Sequence, residues 1–374
     1  MTFSFSFSGD DIEDDKGVAS QSSPGPLPAA SAFPVQGKPL LPPIHHDLNQ
    51  MLAALPSKIA YSLLDVDLDG DASIQIPRRE LWDVRVQLMA EDDGPGPAEG
   101  DELEPGLGSH DVKTGIYEGG FKSWESSVDM VKVLAAENFN SSLTEGPVRV
   151  IELGCGTALP SIALFQWALA NRTLAQQELN GPAPLSLVLA DYNPTVLQLV
   201  TLPNILLAWA LYQQAHDLAL QEAFASVDGE LEINEHVVES FKTFLASYNI
   251  SVSFVSGGWS PDFVELIYGD RASAAQINDD CATGHTLIMG AETIYSPFAL
   301  SSFTETLLSM LQRERDGPSG RQAVAIVAAK RLYFGVGGSL DDFVDRIRGL
   351  GVTVSMMREE TEGVRRGVVK CNLP

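Results

Sequence analysis

Residues 148–158, VRVIELGCGTA, constrain the fold more than any other part of the sequence. An apolar strand there runs into a turn of small residues, and a helix is predicted to begin near Ala158. Gly154 and Gly156 can adopt backbone angles that a Cβ atom would forbid, so the chain can turn tightly and approach a ligand closely. The segment predicts the first strand of an α/β sheet, with a nucleotide-bearing cofactor at its carboxyl end.

The charge beside this turn narrows the choice of cofactor. Glu152 places a carboxylate next to the glycines, whereas the pyrophosphate of a dinucleotide favours bare N–H groups at a helix N-terminus. A ligand with a cationic end, such as the amino group and sulfonium of S-adenosylmethionine, suits an acidic turn better. A dinucleotide dehydrogenase is therefore the least favoured class, although a G-x-G pair alone also occurs in ordinary tight turns.

A second strand is predicted at 185–190, LSLVLA, and Asp191 follows it directly. A continuous apolar run is typical of a strand buried on both faces of a parallel sheet. An acidic residue at the tip of the second strand is where Rossmann-like sites hold the ribose hydroxyls. The alternative interpretation of Asp191 is a helix N-cap, because Pro194 could open the next helix.

Alternation of strands and helices over the rest of the chain predicts the fold class. Strands are expected near 148–153, 185–190, 250–256, 286–291, 322–330, 352–358 and 364–371, with helices between most of them. This pattern predicts an α/β fold with a doubly wound, mostly parallel sheet that ends in an antiparallel hairpin.

Composition divides the chain into three parts. Residues 1–44 are rich in Ser, Pro, Gly and Asp, which predicts a disordered tail. Residues 45–109 hold enough apolar side chains for a short helix and one or two strands, followed by an acidic Gly/Pro linker at 91–109. Residues 110–374 are predicted to form the main domain.

The formal charge of −26 limits the possible partners. It disfavours direct binding to nucleic acid and indicates either solubility alone or a strongly basic protein partner. The sequence has no run of 18 apolar residues, so we expect no membrane span. Three widely spaced cysteines form no metal pattern and indicate a reducing compartment.

Two patterns are weak candidates for a metal site. Residues 65–70, DVDLDG, match the first half of an EF-hand loop, but position twelve holds Ile76 in place of glutamate. His45 and His46 lie in a Pro-rich context without further ligands. We therefore expect an acidic turn at 65–70 and no bound metal.

Two further segments are expected to lie close to the glycine turn. Residues 256–259, SGGW, follow the third strand, and residues 291–297, AETIYSP, follow the fourth. In an open α/β sheet, ligands bind outside the carboxyl ends of the strands, so both segments should share one crevice with the glycine turn. Trp259 could flank a flat adenine there, with a position in the core as the alternative.

Six segments, taken in order, resemble those of the eukaryotic histidine protein methyltransferase family, which belongs to the seven-strand S-adenosylmethionine-dependent methyltransferases. They are GIYEGGFKSWESS, IELGCGTALP, DYNPTVLQLVTLPN, SGGWS, AETIYSP and AKRLYFGVGGSL. The resemblance covers roughly residues 110–374, and the N-terminal MTFSFSFSGDDIEDD is similar to that of fungal members.

This resemblance implies a Rossmann-like methyltransferase sheet that binds S-adenosyl-L-methionine. It also implies methylation of a histidine ring nitrogen in a large-subunit ribosomal protein of the L-three type, by a monomer in the cytoplasm and nucleus. Such a substrate is very basic, which matches the charge of −26.

The resemblance also implies roles for individual residues of this sequence. Asp191 would accept hydrogen bonds from the ribose hydroxyls, and Ala291 and Glu292 would face the reacting end. The other predicted cofactor contacts are Ser123, Trp124, Glu125, Ser126, Ser127, Glu152, Gly154, Gly156, Tyr192, Gly258 and Trp259. Two positions depart from the family pattern: Ala158 stands where a third glycine is frequent, and Ala291 where animal relatives tend to have serine.

Methyl transfer from a sulfonium is an in-line displacement that needs a neutral, aligned nucleophile. Histidine has an unperturbed pKa of about 6.5, which leaves one ring nitrogen free at neutral pH. A carboxylate could accept a hydrogen bond from the other ring nitrogen and stabilise the developing imidazolium. Glu292 is the first candidate, with Tyr295 in support and Glu118 as an alternative. A cap on the helix that Pro297 opens is the competing interpretation of Glu292.

Two other classes of function stay open. A lysine methyltransferase would share the fold but would have to deprotonate an ammonium with a pKa near 10.4, and a non-catalytic adaptor could keep the cofactor fold.

His110 lies shortly before Ser123, so a tethered imidazole could reach the methyl group and be methylated by the enzyme itself.

Overall fold

The computed structural model describes residues 34, 37, 39–70, 72–92, 119–175, 182–225, 227–269, 284–317 and 322–374. Most of the acidic linker lies outside these residues, as do His110 and Glu118. The roles predicted for His110 and Glu118 therefore stay predictions.

The strands in this part of the chain form two sheets. Their bounds are β1 Ile44–His46, β2 Lys58–Asp67, β3 Ser73–Arg79, β4 Val148–Leu153, β5 Leu185–Asp191, β6 Glu230–Glu232, β7 Ile250–Ser256, β8 His285–Ala291, β9 Gln322–Lys330, β10 Thr353–Glu360 and β11 Arg366–Asn372. All seven strands predicted after residue 110 are present, each within two residues of its expected bounds.

The large sheet has the order β1-β7-β5-β4-β8-β9-β11-β10. β4 pairs in parallel with β5 and β8, β5 with β7, and β8 with β9. β11 is antiparallel to β9 and forms a hairpin with β10, which confirms the predicted terminal hairpin. Because β5 lies on one side of β4 and β8 on the other, the strand order reverses beside β4, where α/β folds bind their ligands.

Helices cover both faces of this sheet. Their bounds are Leu48–Ala53, Leu81–Asp92, Glu125–Ala136, Phe139–Glu145, Leu159–Ala175, Pro194–Gln213, Leu218–Phe224, Glu235–Ser247, Pro261–Gly269, Pro297–Asp316 and Leu340–Gly349. One core holds Leu134, Phe165 and Trp209, and the core on the opposite face holds Phe303 and Phe343. The doubly wound α/β fold class is confirmed.

The helix Pro194–Gln213 is long and apolar enough to cross a membrane by length and composition, and it is the one such helix among the described residues. Its apolar window is 78% buried inside the protein. It is therefore a core helix, and burial explains its apolar sequence.

The packed part of the chain begins at an earlier residue than composition predicts. β1 pairs antiparallel with β7 and adds an eighth strand to the large sheet. Leu41, which composition placed in the tail, is buried. The predicted boundary at residue 44 is therefore too late, since apolar residues within a Pro-rich stretch can still pack as a single extended strand.

A second sheet, of order β3-β2-β6, joins two N-terminal strands to β6 of the main domain. β2 and β3 form a hairpin in which residues 65–67 still pair as the end of β2, and residues 68–70 enter its turn. The turn is therefore shorter than the one predicted at 65–70. The apolar residues from Leu81 onward form a helix.

Candidate active site

A cleft opens at the carboxyl ends of the parallel strands, and its empty space is about 840 Å³ when the open solvent at its mouth is included. Its position beside β4 is the one expected for a ligand in a doubly wound sheet. Of the residues predicted from the sequence, the structure brings eight to its walls: Trp124, Gly154, Asp191, Tyr192, Trp259, Ala291, Glu292 and Tyr295.

Other predicted residues do not line the cleft. They are Ser123, Glu125, Ser126, Ser127, Glu152, Gly156 and Gly258. The sequence did not predict several residues that do line the cleft: Pro34, Leu40, Gly119, Gly120, Asn193, Val196, Thr293, Phe298, Ala299 and Ser302.

The glycine turn has the predicted backbone conformation, but one of its glycines is approached by this chain and not by a ligand. Gly154 and Gly156 have φ of 66° and 51°, in the left-handed region that favours glycine. A Cβ atom on Gly156 would lie 3.0 Å from the carbonyl oxygen of Gly120. The close approach at Gly156 is thus made by this chain itself, and Gly154 is the glycine that faces the cleft.

The turn is held from behind by buried polar side chains. Thr201 Oγ1 donates to the carbonyl oxygen of Gly156 at 2.7 Å, and Asn204 Nδ2 donates to that of Thr157 at 3.0 Å. The backbone N–H of Arg79 donates to Asn204 Oδ1 at 2.7 Å. A chain of hydrogen bonds therefore connects β3 of the small sheet to the glycine turn.

Asp191 is positioned to bind a ligand from the tip of β5. Its Oδ2 accepts from the N–H of Gly156 and its Oδ1 from the N–H of Asn193, both at 3.0 Å. Asn193, not Asp191, caps the next helix by accepting from the N–H of Thr195, so the alternative N-cap interpretation is wrong. Burial raises the pKa of Asp191 to about 6, and its carboxylate keeps lone pairs for hydroxyl groups of a ligand.

Glu152 does not face the cleft, which corrects its predicted contact with the cofactor. Its carboxylate accepts hydrogen bonds from the N–H and the hydroxyl of Ser161, in the first turn of the helix Leu159–Ala175. Burial raises the pKa of Glu152 to about 8. Glu152 therefore anchors the first turn of the helix that follows, through its two hydrogen bonds with Ser161.

The segment just before β1 forms one wall of the cleft. The phenolic oxygen of Tyr192 accepts from the N–H of Leu41 at 3.1 Å, and the N–H of Gly258 donates to the carbonyl oxygen of Leu41 at 2.9 Å. Gly258 packs on Leu40, which lines the cleft, whereas Gly258 itself does not. Trp259 lines the cleft and makes an edge contact with Phe303, at 5.4 Å between ring centroids.

Segment 123–127 contributes one side chain to the cleft and supports it with others. Trp124 lines the cleft, and its Nε1 donates to the carbonyl oxygen of Gly119 at 3.1 Å. Ser123 is hydrogen-bonded to Thr157, and Ser126 donates to Glu292. Glu125 begins the helix Glu125–Ala136 at an exposed position, and Ser127 is half-buried on that helix.

Glu292 is held in a strained and paired position. Its φ of 59° is left-handed although it is not a glycine, a conformation that is often found at functional sites. Ser126 donates to its Oε1, and Lys330 Nζ lies 3.9 Å from its Oε2. Ser296 caps the helix that Pro297 opens, so the capping interpretation of Glu292 is wrong.

Lys330 has a role that the sequence did not reveal. Its Nζ lies 4.9 Å from the centre of the Trp124 ring and 5.6 Å from that of Tyr333. A cation at this distance from an aromatic face is attracted to it. Lys330 thus fills an acidic and aromatic corner beside the cleft.

Thr293 is a second residue that the sequence missed, although it directly follows Glu292. It is 4% exposed and lines the cleft, and its Oγ1 has no hydrogen-bond partner among the described residues. A buried polar atom without a partner is rare in native proteins. The orphaned hydroxyl, the carboxylate of Asp191 and the two indole rings together fit a ligand with polar groups and a flat base, as S-adenosylmethionine has.

We expect Thr293→Val to weaken S-adenosylmethionine binding about fivefold, because a neutral hydrogen bond contributes about 1 kcal/mol. Calorimetric titration measures this change. Thr286→Val is a matched control, since Thr286 is also buried with an unpartnered hydroxyl but lies in β8 away from the cleft. Equal affinities in both variants and the wild type would show that Thr293 does not bind the cofactor.

Removal of residues 1–46 should lower both stability and cofactor affinity, whereas removal of residues 1–33 should change neither. The longer deletion takes away Leu40, Leu41 and β1, and we expect it to reduce the free energy of unfolding by about 2–4 kcal/mol. Thermal unfolding and cofactor titration of both truncations measure the difference. Identical behaviour of the two would mean that β1 contributes nothing to the cleft.

Comparison with known proteins decides the family. The sequence is 33% identical over 329 residues to histidine protein methyltransferase 1 of Schizosaccharomyces pombe, covering 86% of this chain and 83% of the relative. The chain belongs to the histidine protein methyltransferase 1 family. The Saccharomyces cerevisiae member is also 33% identical, over 395 residues that cover 99% of this chain and 98% of the relative. The homolog of Rattus norvegicus is 27% identical over 68% of this chain and 57% of its own length.

Membership in the histidine protein methyltransferase 1 family confirms the predicted methyltransferase with S-adenosyl-L-methionine as methyl donor. No protein-family model matches the chain. Among solved structures, the N-terminal domain of human METTL16 in complex with SAH aligns with a TM-score of 0.33 at 10% identity, covering 68% of this chain and 72% of that one.

Proposed function

We propose that this protein transfers a methyl group from S-adenosyl-L-methionine to a ring nitrogen of histidine in a basic large-subunit ribosomal protein of the L-three type. The names of its relatives support histidine as the acceptor residue. The acidic charge of −26 supports a basic acceptor protein. The proposed location is the cytoplasm and nucleus, where ribosomal proteins are made and assembled, and the proposed active form is a monomer.

The observation that carries the choice of histidine is the placement of Lys330. A lysine methyltransferase needs an acidic and aromatic corner to receive the substrate ammonium. Here the ammonium of Lys330 lies beside Glu292 and over Trp124. A second ammonium would meet a like charge, whereas a neutral imidazole would not, and so the corner favours histidine.

Some side chains of the cleft bind the cofactor, and others position the acceptor imidazole and its proton. When bound, S-adenosylmethionine supplies the methyl group for an in-line displacement. Asp191 would accept hydrogen bonds from its ribose hydroxyls, and Tyr192 and Trp259 would flank its base. Glu292, which lies beside Lys330, accepts the N–H of the imidazole and fixes the tautomer whose other nitrogen has a free lone pair. It also stabilises the imidazolium that forms, with Tyr295 beside it.

The pH dependence of methyl transfer tests this proposal against the lysine alternative. At saturating S-adenosylmethionine, the rate with the ribosomal acceptor should fall as the pH drops below about 6.5 and stay level above it, because only neutral imidazole is nucleophilic. A rate that continues to rise towards pH 10 would contradict the proposal and indicate a lysine acceptor.

A further inference from the structure

A loop beside the cleft exposes apolar side chains on a fixed backbone. The rim loop, residues 331–338 (RLYFGVGG), connects β9 to the helix Leu340–Gly349. Phe334 is 88% exposed, the highest value among the exposed large apolar side chains of the described residues, and Leu332 and Val336 are 48% and 50% exposed. Single exposed apolar residues are common, but three within five positions indicate a contact surface.

The base of the rim loop is fixed by hydrogen bonds and close packing. The N–H of Gly338 donates to the carbonyl oxygen of Tyr295 at 3.1 Å, and the N–H of Tyr333 donates to that of Gly338 at 2.9 Å. A Cβ atom on Gly338 would lie 2.0 Å from the carbonyl oxygen of Ile294, so the loop lies directly on the segment after β8. A loop held in this way presents its tip without a large loss of conformational entropy on binding.

The apolar surface extends from the rim loop to the terminal hairpin. The N–H of Arg331 donates to the carbonyl oxygen of Arg365 at 2.9 Å, which brings the backbones next to Leu332 and Val364 together. Val364 is 50% exposed. Two separate connections therefore place apolar side chains on the same edge of the molecule.

This surface is continuous with the mouth of the cleft. Tyr295, whose carbonyl holds the loop, also lines the cleft. Lys330, the residue before the loop, lies over Trp124 and beside Glu292. A polypeptide that delivers a side chain to Glu292 from this side of the cleft would contact the rim loop.

We propose that the rim loop is the docking surface for the acceptor protein, and that Phe334 and its apolar neighbours bind an apolar patch next to the acceptor residue. This inference rests on the proposed function, because a protein acceptor is what brings a surface to the rim. The rim loop adds a short-range apolar contact that salt does not screen, whereas the overall charge attracts a basic protein from a distance.

The proposal predicts a change in KM for protein acceptors alone. Phe334→Ser should raise KM for a purified ribosomal protein of the L-three type about tenfold or more, as expected for an aromatic interface residue. Its turnover number at saturating acceptor, its melting temperature and its affinity for S-adenosylmethionine should equal those of the wild type. A short peptide that carries the acceptor histidine, too small to reach the loop, should be methylated equally well by both.

Leu218→Ser is the matched control, because Leu218 is 77% exposed and lies in the helix Leu218–Phe224, which contributes nothing to the cleft. Equal KM values for Phe334→Ser, Leu218→Ser and the wild type would overturn the docking proposal while leaving the proposed function intact. Self-association of the wild type that Phe334→Ser abolishes without a change in KM would also overturn it, since the occupant would then be a second copy of the chain. Failure of the proposed function gives a different result, which is no methylhistidine from the wild type with any ribosomal acceptor, and it would remove both proposals.

Discussion

Glu292→Gln should lower the turnover number of methyl transfer by about a hundred- to a thousand-fold, the range expected when a positioned proton acceptor is lost. Glutamine keeps the shape of the side chain and can still accept from Ser126, but it has no charge to stabilise an imidazolium. Affinity for S-adenosylmethionine should stay within about threefold of the wild type, because the proposed role concerns the acceptor and not the cofactor.

A matched control separates this effect from a general change of charge. Glu305→Gln also removes one carboxylate, on the helix Pro297–Asp316, where Glu305 pairs with Arg346 and its side chain is 67% exposed. It should leave turnover unchanged. If Glu292→Gln retained a turnover number close to that of the wild type, the carboxylate would be a structural group that anchors Ser126 and Lys330.

Asp191→Ala should raise the dissociation constant for S-adenosylmethionine by about thirty- to a hundred-and-fifty-fold, since hydrogen bonds to a charged group contribute about 2–3 kcal/mol. The wild-type affinity should also fall as the pH drops below about 6, because burial raises the pKa of Asp191 to about 6 and protonation removes the charge. Asp191→Asn should lack this step in the pH dependence.

Calorimetric titration of the apo protein measures both effects. Asp345→Ala, at an exposed position of the helix Leu340–Gly349, is the control and should bind the cofactor as the wild type does. Unchanged affinity in Asp191→Ala would mean that Asp191 only fastens the glycine turn through Gly156 and Asn193.

Strand positions could be predicted because a strand that is buried on both faces of a sheet has an unbroken run of apolar residues. β5 is a run of apolar residues that ends at Asp191, and β8 ends at Ala291 just before Glu292. In a parallel sheet, residues at such ends share one edge, which is why most of the predicted site residues after strands do line the cleft.

The positions of some residues could not be predicted, because they depend on contacts with parts of the chain that are distant in sequence. Leu40 comes from a Pro-rich stretch whose composition resembles that of a disordered tail, and it reaches the cleft because the nearby β1 pairs with β7. Glu152 sits at the predicted turn, but the alternation of strand side chains points its carboxylate to Ser161. Lys330 ends β9, and its approach to Glu292 depends on the sheet order, which local sequence does not specify.

The proposed acceptor of the methyl group is a histidine ring, and mass spectrometry of large-subunit ribosomal proteins can identify it. The proteins are isolated from cells with and without this methyltransferase. We expect a methylhistidine in a basic protein of the L-three type that disappears when the methyltransferase is absent and returns when the purified wild type is added with S-adenosylmethionine. An unchanged set of methylhistidines, or the loss of a methyllysine in their place, would contradict it.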